Sequence, residues 1–389
     1  MKFMTDTQCA YIAGQKEDMP LGGVGCHAYF EFHCKGPDLE KLAEAWKRLF
    51  YLHKELRCYY KDGVVEEMKE LPDCANMKVL DYRGKDPLEF RNSIESRNCN
   101  TKEGECCGLW YLITEKEYDI LVFDWSLIAG DVKSFVLILD ELAQLYAGES
   151  PDTADSDSLM ELRKKQASTT GGRAKEIITQ DLEHYVPESG LKILKTPEEL
   201  TKCHYKSVDR WINGIEIKSK LNDGNLMAAF AKGLCEITGE ESLVLNYPCF
   251  YRNENEWKAV GDFTDIKLMP MTKEYDKNLE IYRRYMEFQG FSHGKVRRMI
   301  GKKYPKVKNI APVVFSPVMD HPLVTTLFEE NIGILSYMIS QTPQVWLDVQ
   351  SFLVDDCLYI SIVYPKEMFL RSYVEEIADC YMEKVKELV

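Results

Sequence analysis

Residues 340–350 read Ser340-Gln341-Thr342-Pro343-Gln344-Val345-Trp346-Leu347-Asp348-Val349-Gln350. The stretch sets an acid, several amides and hydroxyls around a short apolar run suited to a buried strand. Asp348 is the one acid in the stretch.

The rest of the chain permits this reading without pointing to it. Its 389 residues can bury a large core and suggest two domains or lobes. With 45% hydrophobic and 29% charged residues, the composition is that of an ordinary globular protein. A net charge of −14 with no basic stripe disfavours nucleic acid as a partner. The thirteen cysteines show no CxxC spacing, and Cys106-Cys107 is the only adjacent pair. An odd count with no apolar targeting core after Met1 fits reduced thiols in the cytoplasm and no metal site. No apolar run is long enough to span a membrane, so no membrane partner is expected.

Periodicity gives a mixed α and β chain. Residues 26–34 alternate as a strand. Leu39, Leu42, Ala45, Trp46 and Leu49 mark a helix over 38–53. A strand at 120–123 precedes a helix over 134–146, which Gly148 stops. The stretch from Glu149 to Gly172 is rich in Asp, Ser, Thr and Gly and reads as a connector. Beyond it the mixture repeats, with helices near 225–237 and 274–289 and strands at 242–247, 313–315, 345–347 and 357–363. A last amphipathic helix starts near Leu370. The expected lobes are residues 1–160 and 173–389, joined by 161–172.

Five segments in order carry a resemblance. They are Thr7 to Gly14 with Leu21 to Phe32 (LGGVGCHAYFEF), Leu52 to Arg57, Leu245 to Thr264 (LNYPCFYR, then VGDFT), Pro312 to Ser316 (PVVFS), and Ser340 to Gln350. Together they resemble the heterocyclization domains of nonribosomal peptide synthetases, members of the condensation-domain superfamily. The resemblance implies an α/β (α+β) fold: two chloramphenicol-acetyltransferase-like lobes in a V-shaped pseudo-dimer with a central tunnel. It implies acyl and aminoacyl carrier proteins as partners, acting in trans and delivering substrates on phosphopantetheine, with no permanently bound cofactor. The implied reaction joins a carrier-bound acyl group to a Cys, Ser or Thr thioester and closes a thiazoline or oxazoline.

Carried over residue by residue, the resemblance assigns catalysis to Asp348, with Ser316 standing where the family has a threonine. A buried carboxyl of raised pKa can take a proton and return it, and a hydroxyl neighbour can orient it. Gln344, Gln350 and Thr342 are the expected substrate-binding groups. At the strand-to-helix turn where the family has DxxxxD, the second acid is kept as Asp131. The first becomes Ser126, and Asp124 lies two residues earlier on the same strand face. Asp131 reads as a helix cap and buried salt-bridge partner. His27, His33 and His53 read as packing or capping residues, His321 as a surface-turn residue, and the basic run 295–308 as a solvated face whose alternative is docking of an acidic carrier. Two readings stay open: an active acyltransferase and cyclodehydratase, or a relative that retains one half-reaction or binds carriers as a scaffold.

Overall fold

In the computed structural model, the described residues are 2–154, 156–157, 176–182, 190–201, 203–213, 220–250, 258–287, 294–305, 309–354 and 357–389. The expected connector, 161–172, lies outside them. The chain divides into two compact units. The first contains 1–156, 252–262 and 324–343; the second contains 157–251, 263–323 and 344–389. Each unit is thus assembled from separated stretches of chain, where contiguous lobes were expected.

Along the chain come β1 (Lys2–Phe3), α1 (Asp6–Gly14), β2 (His27–Cys34), α2 (Leu39–Leu52), β3 (Cys58–Lys61), β4 (Val64–Glu67), β5 (Lys78–Asp81), α3 (Pro87–Ile94), β6 (Cys107–Ile113), β7 (Asp119–Ser126) and α4 (Val132–Ala147). There follow β8 (Tyr205–Asn213), α5 (Asp223–Thr238), β9 (Ser242–Phe250), β10 (Thr264–Thr272), α6 (Tyr275–Met286), α7 (Gly294–Lys303), β11 (Val313–Pro322), α8 (Thr326–Asn331), β12 (Ile334–Gln341), β13 (Leu347–Val354), β14 (Cys357–Pro365) and α9 (Arg371–Lys386).

The first unit is built on a five-stranded sheet of order β12-β2-β7-β6-β5 and a small sheet of order β1-β4-β3. Strand β12 pairs antiparallel with β2, from Ile334 opposite His33 to Gln341 opposite His27. Helix α4 starts where the side chain of Asp131 accepts from Ser134 N, the cap expected from sequence. It ends at Gly148, whose φ of 88° lies in the left-handed region that suits glycine. Phe30, Phe123 and Phe135 form the heart of this unit's core, with Phe30 and Phe135 centroids 5.1 Å apart.

The second unit has a six-stranded sheet of order β10-β9-β11-β13-β14-β8. Strands β9, β11 and β13 run parallel, and the others are antiparallel. Alternation divides β11 and β13 into two faces. Phe315 points to the helix layer, stacking on Phe230 of α5 at 5.3 Å and meeting Tyr381 of α9 at 6.0 Å. Ser351 shares that side, with its hydroxyl 3.1 Å from the hydroxyl of Tyr381. Val314, Ser316, Asp348 and Gln350 take the other face.

The elements that periodicity marks are present with different ends, while β8, β10 and β12 are strands it does not mark. The strand expected at 120–123 extends through Ser126, which closes it. The strand expected at 345–347 begins at Leu347 and continues to Val354. Both extensions carry polar residues that a hydrophobic pattern ends on, yet the ladder continues through them. Phe315→Ala should cost about 3–5 kcal/mol by removing the ring clamped between α5 and α9, measured by chemical denaturation. A loss under about 1 kcal/mol would sink this account of how β11 is anchored.

Candidate functional site

Asp348 lies on β13 between two strands, parallel β11 and antiparallel β14. The β11 register sets Val314 opposite Asp348 and Ser316 opposite Gln350. Two steps along either strand therefore return to the same face, which brings an acid, a hydroxyl and an amide together. The Ser316 hydroxyl donates to Asp348 Oδ1 at 3.3 Å, and the Gln350 amide donates to Asp348 Oδ2 at 3.0 Å. Each carboxylate oxygen thus has its own side-chain donor.

Asp348 is only 6% exposed. Burial pushes its pKa from the usual carboxylate range up to about 7, while the bonds from Gln350 and Ser316 pull the other way without overcoming it. A group of this kind exists in both protonation states near neutrality and can give or take a proton with little energetic cost. The polar row extends past Gln350. Ser361 stands opposite it on β14 and donates to Asp209 Oδ1 of β8 at 2.8 Å, and Ser207 donates to Asp209 Oδ2 at 3.1 Å.

Of the residues expected from sequence, Asp348, Ser316 and Gln350 come together, and Gln344 lies four residues ahead of Asp348 in the same unit. Gln344 has a φ of 70°, a left-handed conformation uncommon outside glycine, and its carbonyl accepts from Asn309 Nδ2 at 2.9 Å. Thr342, Ser126, Asp124 and Asp131 belong to the other unit. There Thr342 is half-buried, with its hydroxyl 3.9 Å from Cys26 Sγ.

Asp124 has a structural post that the sequence did not reveal. Its Oδ1 meets His27 Nδ1 at 2.6 Å and its Oδ2 meets Arg97 at 2.7 Å, inside a fully buried position. Burial opposes ionisation, but the charges and hydrogen bonds of His27 and Arg97 outweigh it and hold the carboxyl below its usual range. His27 Nε2 meets the carbonyl of Glu95 at 2.7 Å, which occupies the second ring nitrogen. Ser126 is buried, and its Oγ lies 3.4 Å from the N–H of Ile128 as acceptor. Asp131 caps α4 through both the N–H and the hydroxyl of Ser134, at 3.1 and 3.0 Å.

His53 is paired with buried Glu141, whereas His33 is exposed and stacked on Tyr118 at 5.2 Å, so packing there occurs on the surface. His321 lies half-buried at the end of β11, with its Nδ1 2.8 Å from the carbonyl of Pro322. Of the basic run, Arg298, Lys302 and Lys303 are exposed, while Arg297 is half-buried and donates to the carbonyl of Ile310 at 2.7 Å. Residues 306–308 lie outside the described residues. Among the described residues, no cluster of His, Cys, Asp and Glu is arranged to hold a metal, and no helix is long and apolar enough to cross a membrane.

No family model matches the chain. Pyochelin synthetase PchE of Pseudomonas aeruginosa is 24% identical over 425 residues, covering 99% of this chain and 29% of its own length. Phenyloxazoline synthase MbtB of a Mycobacterium species is 23% identical over 404 residues, covering 95% of this chain and 34% of its own. The chain therefore spans about a third of the length of these curated relatives. Among solved structures, the cyclization-docking bidomain of the nonribosomal peptide synthetase EpoB from Sorangium cellulosum superposes with a TM-score of 0.86 at 20% identity, covering 99% of this chain and 84% of that one.

Two stability measurements test the site as described. Asp348 is raised above its unfolded value, so folding favours its protonated form. That stability is complete below about pH 4 and is lost as the pH rises through about 7. Asp348→Asn should match wild type near pH 4 and become more stable than wild type above pH 7, by up to ~4 kcal/mol. Urea titrations of both proteins across that range check it. Asp265 is also pushed up to about 7 by burial, so the difference between the two proteins is the informative quantity. Asp124→Ala should cost ~3–5 kcal/mol by leaving His27 and Arg97 without their buried counter-charge, read as a lowered denaturation midpoint at pH 7.

Proposed function

We propose that this chain, homologous over nearly its full length to the cyclization and condensation regions of nonribosomal peptide synthetases and sharing their fold, joins a carrier-bound acyl group to a Cys, Ser or Thr thioester and then cyclodehydrates the product. The observation that carries this reading is the buried Asp348 carboxyl, poised near neutrality between the Ser316 hydroxyl and the Gln350 amide. Both thioesters arrive on the phosphopantetheine arms of carrier proteins, and the product is a thiazoline or an oxazoline.

The proton accounting follows from one carboxyl. In the ring-closing step the acceptor's sulfur or oxygen attacks the carbon of the newly formed amide. The new S–C or O–C bond forms as the carbonyl π pair moves onto oxygen, which gains the proton that the attacking atom gives up. The ring carbon then bears a hydroxyl. In the second step its C–O bond breaks, and Asp348 in its acid form protonates the departing oxygen. The ring N–H proton returns to the Asp348 carboxylate as the C=N bond forms. One water leaves and Asp348 ends as it began. Ser316 holds one carboxylate oxygen toward the reacting ring, and Gln350 keeps the other from rotating away.

The serine at 126, where the family has an acid, supports a narrower version in which only one half-reaction survives. Both versions are read in one experiment. The protein is incubated with an acyl-loaded carrier and a cysteinyl-loaded carrier, and the products are followed by intact mass. Condensation appears as transfer of the acyl group, and ring closure as a further loss of one water. Asp348→Asn should slow the loss of water by about 10²–10⁴-fold while the condensed amide still accumulates. Ser316→Ala should slow it by roughly 10-fold, as expected for a group that orients the carboxyl rather than exchanging the proton itself. Undiminished ring closure in Asp348→Asn would remove that acid from the mechanism.

A further inference from the structure

The segment leading into β13 contains two polar groups that the chemistry above does not use. Among the described residues, neither the buried indole N–H of Trp346 nor the buried side-chain N–H₂ of Gln344 has a hydrogen-bond partner. Buried N–H donors are nearly always paired, because an unpaired one loses its hydration and gains nothing in return. Two such donors, two residues apart in one short segment, are therefore exceptional. The backbone around them is fixed. Trp346 N–H donates to the carbonyl of Pro312 at 2.9 Å, Tyr205 donates to the carbonyl of Val345 at 3.3 Å, and Asn309 donates to the carbonyl of Gln344 at 2.9 Å. Gln344 is held at a φ of 70°, a conformation that for a non-glycine residue persists only when the surroundings enforce it, and such residues cluster at active sites.

We propose that Trp346 Nε1–H and the Gln344 amide N–H₂ are the donors that receive the substrate's amide carbonyl oxygen and stabilise the negative charge it gains when the ring closes. Trp346 lies two residues from Asp348, so their Cα atoms are at most about 7 Å apart. The chemical class of the guest follows from that neighbour. The indole N–H and the amide N–H₂ are donors only, so the guest must be an acceptor. A full anion would meet the Asp348 carboxylate, whereas a neutral carbonyl acquires charge only as the adjacent carbon is attacked. Donors prepared for that charge favour the transition state over the bound amide.

The assignment rests on the ring-closing function proposed above, and the test separates the two. Trp346→Phe keeps most of the ring and deletes the donor; Gln344→Met keeps the chain length and deletes the amide. Each should lower the rate of water loss in the loaded-carrier assay by about 10²-fold with little change in the apparent KM for the loaded carriers. Because neither group has a partner among the described residues, both variants should unfold at or above the wild-type denaturant midpoint, which a packing role would not produce.

A second readout does not depend on turnover. The six tryptophans give indole N–H signals in a ¹⁵N-labelled protein, and Trp346→Phe identifies the relevant one. Adding the N-acetylcysteine thioester of pantetheine, whose acetamide supplies the carbonyl, should move that signal downfield as the hydrogen bond forms. A shifted signal without water loss would refute the ring-closing function and uphold the donor pair. Water loss at the wild-type rate in both variants, or a signal unmoved at saturating probe, would overturn the donor pair.

Discussion

The register between β11 and β13 decides what the second unit can do. Parallel pairing sets Val314 against Asp348 and Ser316 against Gln350, so every second residue on each strand lines one face. A slip of one residue would turn Asp348 into the helix layer, among the rings of Phe230 and Tyr381 and away from Ser316 and Gln350. Phe315, clamped between α5 and α9, penalises that slip from the opposite face. The hydrophobic contacts on one side of the sheet thereby fix the geometry of the hydrogen bonds on the other.

The site and the fold pull in opposite directions at Asp348. Burial that raises its pKa to about 7 makes the carboxyl useful for moving protons and makes its charged form unwelcome. Asp124 shows the contrasting solution. Equally buried, it is surrounded by His27 and Arg97 and stays ionised. One acid has counter-charges and serves the fold; the other has only neutral donors and remains able to change state. The difference between the two carboxyls lies in their partners, since both are buried.

Much of this was legible in the letters. The alternation of 26–34, the apolar stripe of 38–53 and the stop at Gly148 read directly as β2, α2 and α4, because those elements follow local rules of period and capping. The pairing of Asp348 with Ser316 was legible only through resemblance, since 32 residues separate them and register is a tertiary property. The ion pair around Asp124 escaped altogether: His27 and Arg97 reach it from separate parts of the chain, and nothing local distinguishes a counter-ion from a packed side chain. Trp346 was also passed over. A tryptophan in an apolar run reads as core, and only the structure reveals that its N–H has no partner among the described residues.

The interleaved make-up of the two units bears on biosynthesis of the chain. Strand β12, the edge partner of β2, comes from residues 334–341, long after the rest of its sheet has been made. At ribosomal speeds of about 5–20 residues per second, β2 waits on the order of ten seconds or more for that partner. During this interval an apolar strand edge, Tyr29 to Phe32, stands open to pairing with other chains. The nascent protein is therefore most exposed to misassembly before residue 341 emerges, and a holdase acting on the partly made chain would protect it most at that stage.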